Sequence, residues 1–216
     1  RPGRHVVTTS MEHNSVMRPL RALEAERTAV TVVECSREGE LDPAAIERAL
    51  RPETSLIVMT HASNVVGTIL PVEEVAKIAR AHGLLLLVDG AQSVGALPTD
   101  MERLGADLLA FTGHKGLCGP TGTGGLILGE RLDTARLEPL IRGGTGSNSE
   151  SDLQPSFLPD KFESGTMNVV GLAGLEAGVR WLTEQGHEAL RSRERDLTAR
   201  LIEGLCDIPG VEVKGT

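Results

Sequence analysis

Short apolar strands alternating with helices predict an α/β fold, a three-layer αβα arrangement around a mostly parallel, doubly wound sheet. Two observations carry that expectation. Runs rich in Val, Ile and Leu, each a few residues long, recur along the chain, and the stretches between them space their apolar residues at helical intervals.

Strands are expected at His5 to Thr9, Ala29 to Cys35, Ser55 to Thr60, Leu84 to Val88, Asp107 to Thr112 and Gly125 to Leu128, each too short and too apolar for a surface helix. The first helix is expected over Ser15 to Arg27, where Val16, Leu20 and Leu23 share a face. Asp42 to Arg51 opens with an aspartate cap followed by Pro43, the residue best suited to a first helical turn. Val72 to His82 gathers Val75, Ile78 and Ala79 and stops at Gly83. Two longer helices are expected at Val169 to Glu184 and His187 to Cys206, and Val211 to Lys214 reads as the start of a further strand. Residues 142–165 turn to Gly, Ser, Asn, Pro and Asp, which is loop chemistry.

At 216 residues with 40% hydrophobic content the chain is long enough to bury one sizeable core. Lysine and arginine total 22 against 30 acidic residues, a net charge of −8, and the two signs are interleaved, so no footprint for nucleic acid is present. The longest apolar run, residues 83–88, is far too short to span a bilayer. Cys35, Cys118 and Cys206 are widely spaced with no C-x-x-C pair, which argues against a disulfide framework or a structural metal site and fits a reducing cytoplasm. The opening residues, Arg1 to Thr9, run at once into a strand without an initiator Met, as an internal piece of a longer protein would.

In open α/β sheets ligands sit beyond the carboxyl ends of the parallel strands, so polar residues directly after strands are the candidates. His13 and Asn14 follow the first expected strand, His61 to Asn64 the third, Asp89 to Gln92 the fourth, and Thr112 to Lys115 the fifth. A lysine in a polar turn past one strand, with a carboxylate past the strand before it, is the pairing pyridoxal phosphate chemistry requires. The lysine amine forms a Schiff base with the cofactor aldehyde, and the carboxylate keeps the pyridine nitrogen protonated so that the ring accepts electrons. Taken singly, Lys115 reads as a surface lysine and Asp89 as a turn aspartate before glycine. The segment Gly119 to Gly125 has phosphate-loop composition but lacks the Gly-Lys-Ser/Thr ending and precedes a strand, so it reads as the turn returning the chain from Lys115 to the sheet.

Five ordered segments extend the argument: Thr9 to Val16, His61 to Gly67, Val88 to Gly95, Thr112 to Lys115 and Phe162 to Asn168. Together they resemble the class V aminotransferases among the fold-type I pyridoxal phosphate enzymes, and within them the NifS-like cysteine desulfurases. The resemblance implies that residues 1–168 belong to the large cofactor-binding domain and 169–216 to linking helices and the start of a small C-terminal α+β domain. It implies pyridoxal 5'-phosphate as cofactor, with Lys115 as the Schiff-base residue and proton shuttle and Asp89 at the pyridinium nitrogen. His13 would stack on the ring and help move protons, Asn64 and Gln92 would hydrogen-bond the ring hydroxyl oxygen, and Thr112 and His114 would lie at or near the phosphate. Thr166 would reach the phosphate of a neighbouring subunit, which implies a homodimer, and residues 142–147 would form a mobile loop at its interface.

The activity implied is conversion of L-cysteine to L-alanine with sulfur passed to an enzyme thiol and then to an acceptor protein; selenocysteine lyase, another class V aminotransferase, or a non-catalytic binding module are the alternatives. The family's nucleophilic cysteine and substrate-carboxylate arginine would lie past Thr216 and its phosphate-cradling turn before Arg1, so the chain alone is expected to be inactive or poorly active. Cys118 lies where the family has no sulfur carrier, and Cys35 and Cys206 read as packing residues.

Overall fold

The computed structural model describes residues 4–215. All five residues of β1 (His5–Thr9) are buried, as expected of a central strand covered on both faces. Around it stand β2 (Ala29–Val33), β3 (Thr54–Thr60), β4 (Leu85–Asp89), β5 (Leu108–Thr112) and β6 (Gly124–Leu128), in the spatial order β2-β1-β3-β4-β5-β6. β1 to β5 are parallel, and β6 returns antiparallel beside β5. The segment between Lys115 and β6 is thus the return turn its composition indicates.

The helices are α1 (Asn14–Ala25), α2 (Pro43–Arg48), α3 (Val72–Ala81), a one-turn α4 (Met101–Leu104), α5 (Val169–Gln185) and α6 (His187–Cys206). Asp42 caps α2 by accepting the Ala44 N–H, with Pro43 in the first turn. Alternate strand residues point to opposite faces, and each face has its own helices. Ile46 of α2, Val72, Val75 and Ala79 of α3 and Leu104 of α4 pack with Val7, Ile57, Leu86 and Val88. On the other side Val16, Met17 and Leu20 of α1 cover Val6, Val58 and Leu87. The sheet is doubly wound, and the chain changes direction of growth between β1 and β3.

Several boundaries differ from expectation. β2 ends at Val33, so Cys35 lies past the strand, where its N–H bonds the Ser10 hydroxyl at 2.9 Å. β4 includes Asp89 as its last residue, so the carboxylate closes the strand and does not follow it. Val211 to Lys214 forms no strand: its residues pair with nothing in the sheet and lie largely exposed. Cys206, expected to pack, is exposed at the end of α6, as is most of that helix.

The amino end of the sheet is tied by side chains. His5 Nδ1 meets Thr54 Oγ1 at 2.7 Å and Nε2 meets Thr31 Oγ1 at 2.8 Å, strapping three strands together. Asp107, buried before β5, accepts the Leu86 N–H at 2.8 Å, and Arg131 Nη1 lies 3.1 Å from its Oδ1. Among the described residues no group of three or more His, Cys, Asp or Glu is placed to hold a metal ion, and no helix is long and apolar enough to cross a membrane.

Candidate functional site

The carboxyl ends of β1, β3, β4 and β5 lie side by side, because Thr60 is paired with Asp89 and Asp89 with Ala110. Residues that follow these strands therefore share one crevice at the switch point between β1 and β3. Asp89 is buried there, and its Oδ1 accepts the Ala91 N–H at 2.9 Å. This is the turn role that Asp-Gly chemistry suggests, and it leaves Oδ2 for a cation. Gln92 is half-buried in the next turn, where Ser93 and Val94 donate to the Gly90 carbonyl.

Lys115 is exposed on the turn after β5. Its carbonyl accepts the Cys118 N–H at 2.9 Å, and Gly119 N–H closes the turn onto the Gly113 carbonyl at 2.8 Å. This turn is locked to the one after β4 by backbone contact: a Cβ on Gly95, which has φ +90°, would strike the Gly116 carbonyl, and one on Gly116 would lie 2.5 Å from the Val94 oxygen. Only glycine fits at either position, and their contact fixes the Lys115 turn beside the Asp89 turn. Thr112 Oγ1 and His114 Nδ1 are 2.7 Å apart, so these two residues form one polar pair at the mouth of β5.

His13 caps α1, a structural duty beside its expected one. Its Nδ1 accepts the Ser15 N–H at 3.1 Å and meets the Ser15 hydroxyl at 2.8 Å, which places the ring proton on Nε2 and leaves the ring exposed. Asn64 is exposed at the tip of the turn after β3, held from below by Ser63, whose hydroxyl accepts the Val65 and Val66 N–H groups. Thr166 stands apart: it is exposed ahead of α5 and, among the described residues, makes no hydrogen bond to the other candidates. Its nearest link is Asn168, two residues on, whose Nδ2 reaches the Gly122 carbonyl at 3.4 Å.

Glu12 lies in this crevice without having been assigned a role. Its Oε1 accepts the Thr9 hydroxyl at 2.7 Å and the Thr60 N–H at 3.0 Å, joining the ends of β1 and β3. Burial, reinforced by the Asp89 carboxylate, pushes its carboxyl up to about 7 against those two hydrogen bonds. The signal in the sequence is a lone acid between Met11 and His13 just past an apolar strand. Nearby His61 is buried at the end of β3, and burial holds its ring below the ordinary histidine value.

A cavity of about 750 Å³ opens at the opposite edge of the sheet, among Leu50, Arg51, His82, Leu84, Arg131 and Arg136. None of the expected site residues lines it. The candidate site is defined by polar groups at strand ends and not by cavity size.

Comparison with known proteins assigns the chain to a family. The sequence profile described as aminotransferase class-V matches residues 1–216. The chain belongs to that family. This class V chain is 37% identical over 217 residues to the probable cysteine desulfurase of Methanothermobacter thermautotrophicus, covering 100% of itself and 54% of that protein. Among solved structures it matches the apo cysteine desulfurase of Thermococcus onnurineus NA1, with TM-score 0.87 and 34% identity over 100% of this chain and 56% of the other. It also matches the cysteine desulfurase CsdA of Escherichia coli, with TM-score 0.85 and 28% identity, covering 97% and 53%. The class V chain thus spans about half the length of the curated relatives it matches.

Proposed function

We propose that this chain carries the central pyridoxal phosphate-binding part of a cysteine desulfurase acting on L-cysteine. The observation that supports it most is the placement of Lys115 and Asp89 at the carboxyl ends of adjacent strands, with the turns after them locked by the Gly95 and Gly116 contact. The residues fit the cofactor chemically: a buried carboxylate with one free oxygen for a protonated ring nitrogen, an exposed amine, an exposed imidazole, and amide and hydroxyl groups around them. Bound there, pyridoxal phosphate supplies an aldehyde for the amine and a ring that withdraws electrons from the substrate α-carbon.

In this reading the buried Asp89 would hold the ring nitrogen's proton through a charge-assisted hydrogen bond. His13 presents a flat face, in a chain with 2% aromatic residues and no tyrosine. Asn64 and Gln92 hydrogen-bond the ring hydroxyl oxygen, the Thr112 and His114 pair lies at the phosphate, and the Lys115 amine moves the proton at the substrate α-carbon. Thr166, which makes no hydrogen bond to the other candidates among the described residues, is assigned to the site of a second copy, so the protein in this reading is a homodimer. Residues 1–168 are the cofactor domain and 169–216 the linking helices of this assignment. Cys35, Cys118 and Cys206 are free thiols, suiting a cytoplasmic setting, and none is assigned as the sulfur carrier: Cys35 is half-buried with its thiol pushed up by burial, Cys206 closes a distant helix, and Cys118 N–H is tied back to Lys115. The sulfur passes to an acceptor protein.

The test is titration with pyridoxal phosphate followed by absorption. The parent should develop a band at the edge of the visible range that Lys115→Ala lacks. Identical spectra from parent and variant would exclude Lys115 as the attachment point.

A further inference from the structure

Glu12 bridges β1 and β3 with one carboxyl oxygen and leaves the other without a partner. Oε1 accepts from Thr9 and from the Thr60 backbone, while Oε2 is buried and has no hydrogen-bond partner among the described residues. An ionised oxygen so placed would be desolvated without a donor, which is among the costlier arrangements in a protein; protonation removes the charge and the cost. One charged neighbour acts the same way, against the donors on Oε1. From β4 the Asp89 carboxylate opposes a second negative charge, and from beyond β2 the Cys35 thiol is the other titratable group that Glu12 influences. β1 and β3 offer only the Thr9 hydroxyl and the Thr60 N–H, and no cationic side chain pairs with Glu12 among the described residues.

We propose that Glu12 is a positioning residue of the crevice, a neutral carboxyl group that ties the end of β1 to the end of β3. The Asp89 carboxylate disfavours a negative charge on Glu12, which adds to the effect of burial. Asp89 accepts a backbone N–H, whereas Glu12 Oε2 is buried with no hydrogen-bond partner among the described residues. The neutral acid then does two things. It adds no negative charge of its own to the crevice, and it pins the end of β1, and with it His13, against β3. Only the consequence for the cofactor rests on the proposed function; the protonation itself stands without it.

The experiment begins with the full chain in the absence of added cofactor. Infrared difference spectra recorded from about pH 5 to about pH 9 should show a protonated carboxyl band that disappears near neutrality and is missing from Glu12→Gln. Carbon-13 spectra of glutamate-labelled parent, which require no variant, should show one side-chain carboxyl titrating near neutrality. No such carboxyl by either method overturns the proposal. With pyridoxal phosphate, Glu12→Gln keeps the two accepted hydrogen bonds, so its affinity should match the parent at about pH 6 and depart from it about threefold or more at about pH 8.5. A ratio of affinities constant across that range would reduce Glu12 to a purely structural tie and overturn its role at the site. If the parent does not bind the cofactor at all, the functional reading fails while the carboxyl measurement still decides the protonation.

Discussion

Gly95 and Gly116 meet backbone to backbone, with no room for a Cβ on either. Gly95→Ala meets two penalties at once, a φ of +90° and the Gly116 carbonyl. Gly83→Ala meets only the first, since its φ is +66° and nothing lies within 4 Å. Unfolding measurements should put the conformational cost shared by both at about 1 kcal/mol, with Gly95→Ala losing roughly 1–3 kcal/mol in total. Only Gly95→Ala should also weaken pyridoxal phosphate binding in a titration, because only it displaces the Lys115 turn. Equal losses in the two variants would show that the contact is soft.

Asp89→Asn preserves the oxygen that accepts the Ala91 N–H and removes the charge. Folding should be little changed, while cofactor affinity should fall roughly 10- to 100-fold, the worth of a hydrogen bond to a charged partner. An absorption titration beside a thermal melt separates the two effects.

The dependence of stability on pH should have limbs of opposite cause. Burial, then Arg51, hold His5 below its ordinary 6.5, with Glu53 opposing. Its contribution is therefore complete above that value and is lost as pH falls below it, because the unfolded state takes up the proton first. Glu12 is raised from 4.5 to about 7, so its contribution is complete below 4.5 and is lost as pH rises through about 7. Denaturant midpoints measured against pH should show His5→Gln flattening the acid limb and Glu12→Gln the alkaline one. If each variant shifts the whole curve without changing its shape, neither group titrates on unfolding.

Asp107→Ala should destabilise the chain by about 2–3 kcal/mol, chiefly by leaving the buried Leu86 N–H without an acceptor. Arg131→Ala should cost less, since its side chain is 37% exposed and water can replace part of what it gives. Urea titrations of both variants check the order.

Sequence patterns were most informative where one residue type has one physical use. Pro43 after Asp42 marked a helix start, and Lys115 and Asp89 stood out because strand ends in a parallel sheet face the ligand. The order of β2, β1 and β3 and the antiparallel return of β6 depend on pairing between distant segments, which local periodicity does not encode. Glu12 was invisible as a site residue for the same reason: its significance comes from Thr60, 48 positions away, and from the burial both produce. Val211 to Lys214 shows the converse, an alternating apolar pattern that stays out of the sheet. The one-turn α4 was missed because four residues carry no readable period.

His5, Thr54, Asp107 and Arg131 fasten the amino edge of the sheet, and Glu12, Asp89 and Lys115 occupy the carboxyl edge, a strand's length away. Residues so separated share no partners, so their substitutions should combine additively. The protein can therefore gain or lose robustness at one end of its strands without retuning the chemistry at the other, and a stabilised background built at the amino edge would tolerate mutations at the crevice that the parent could not survive.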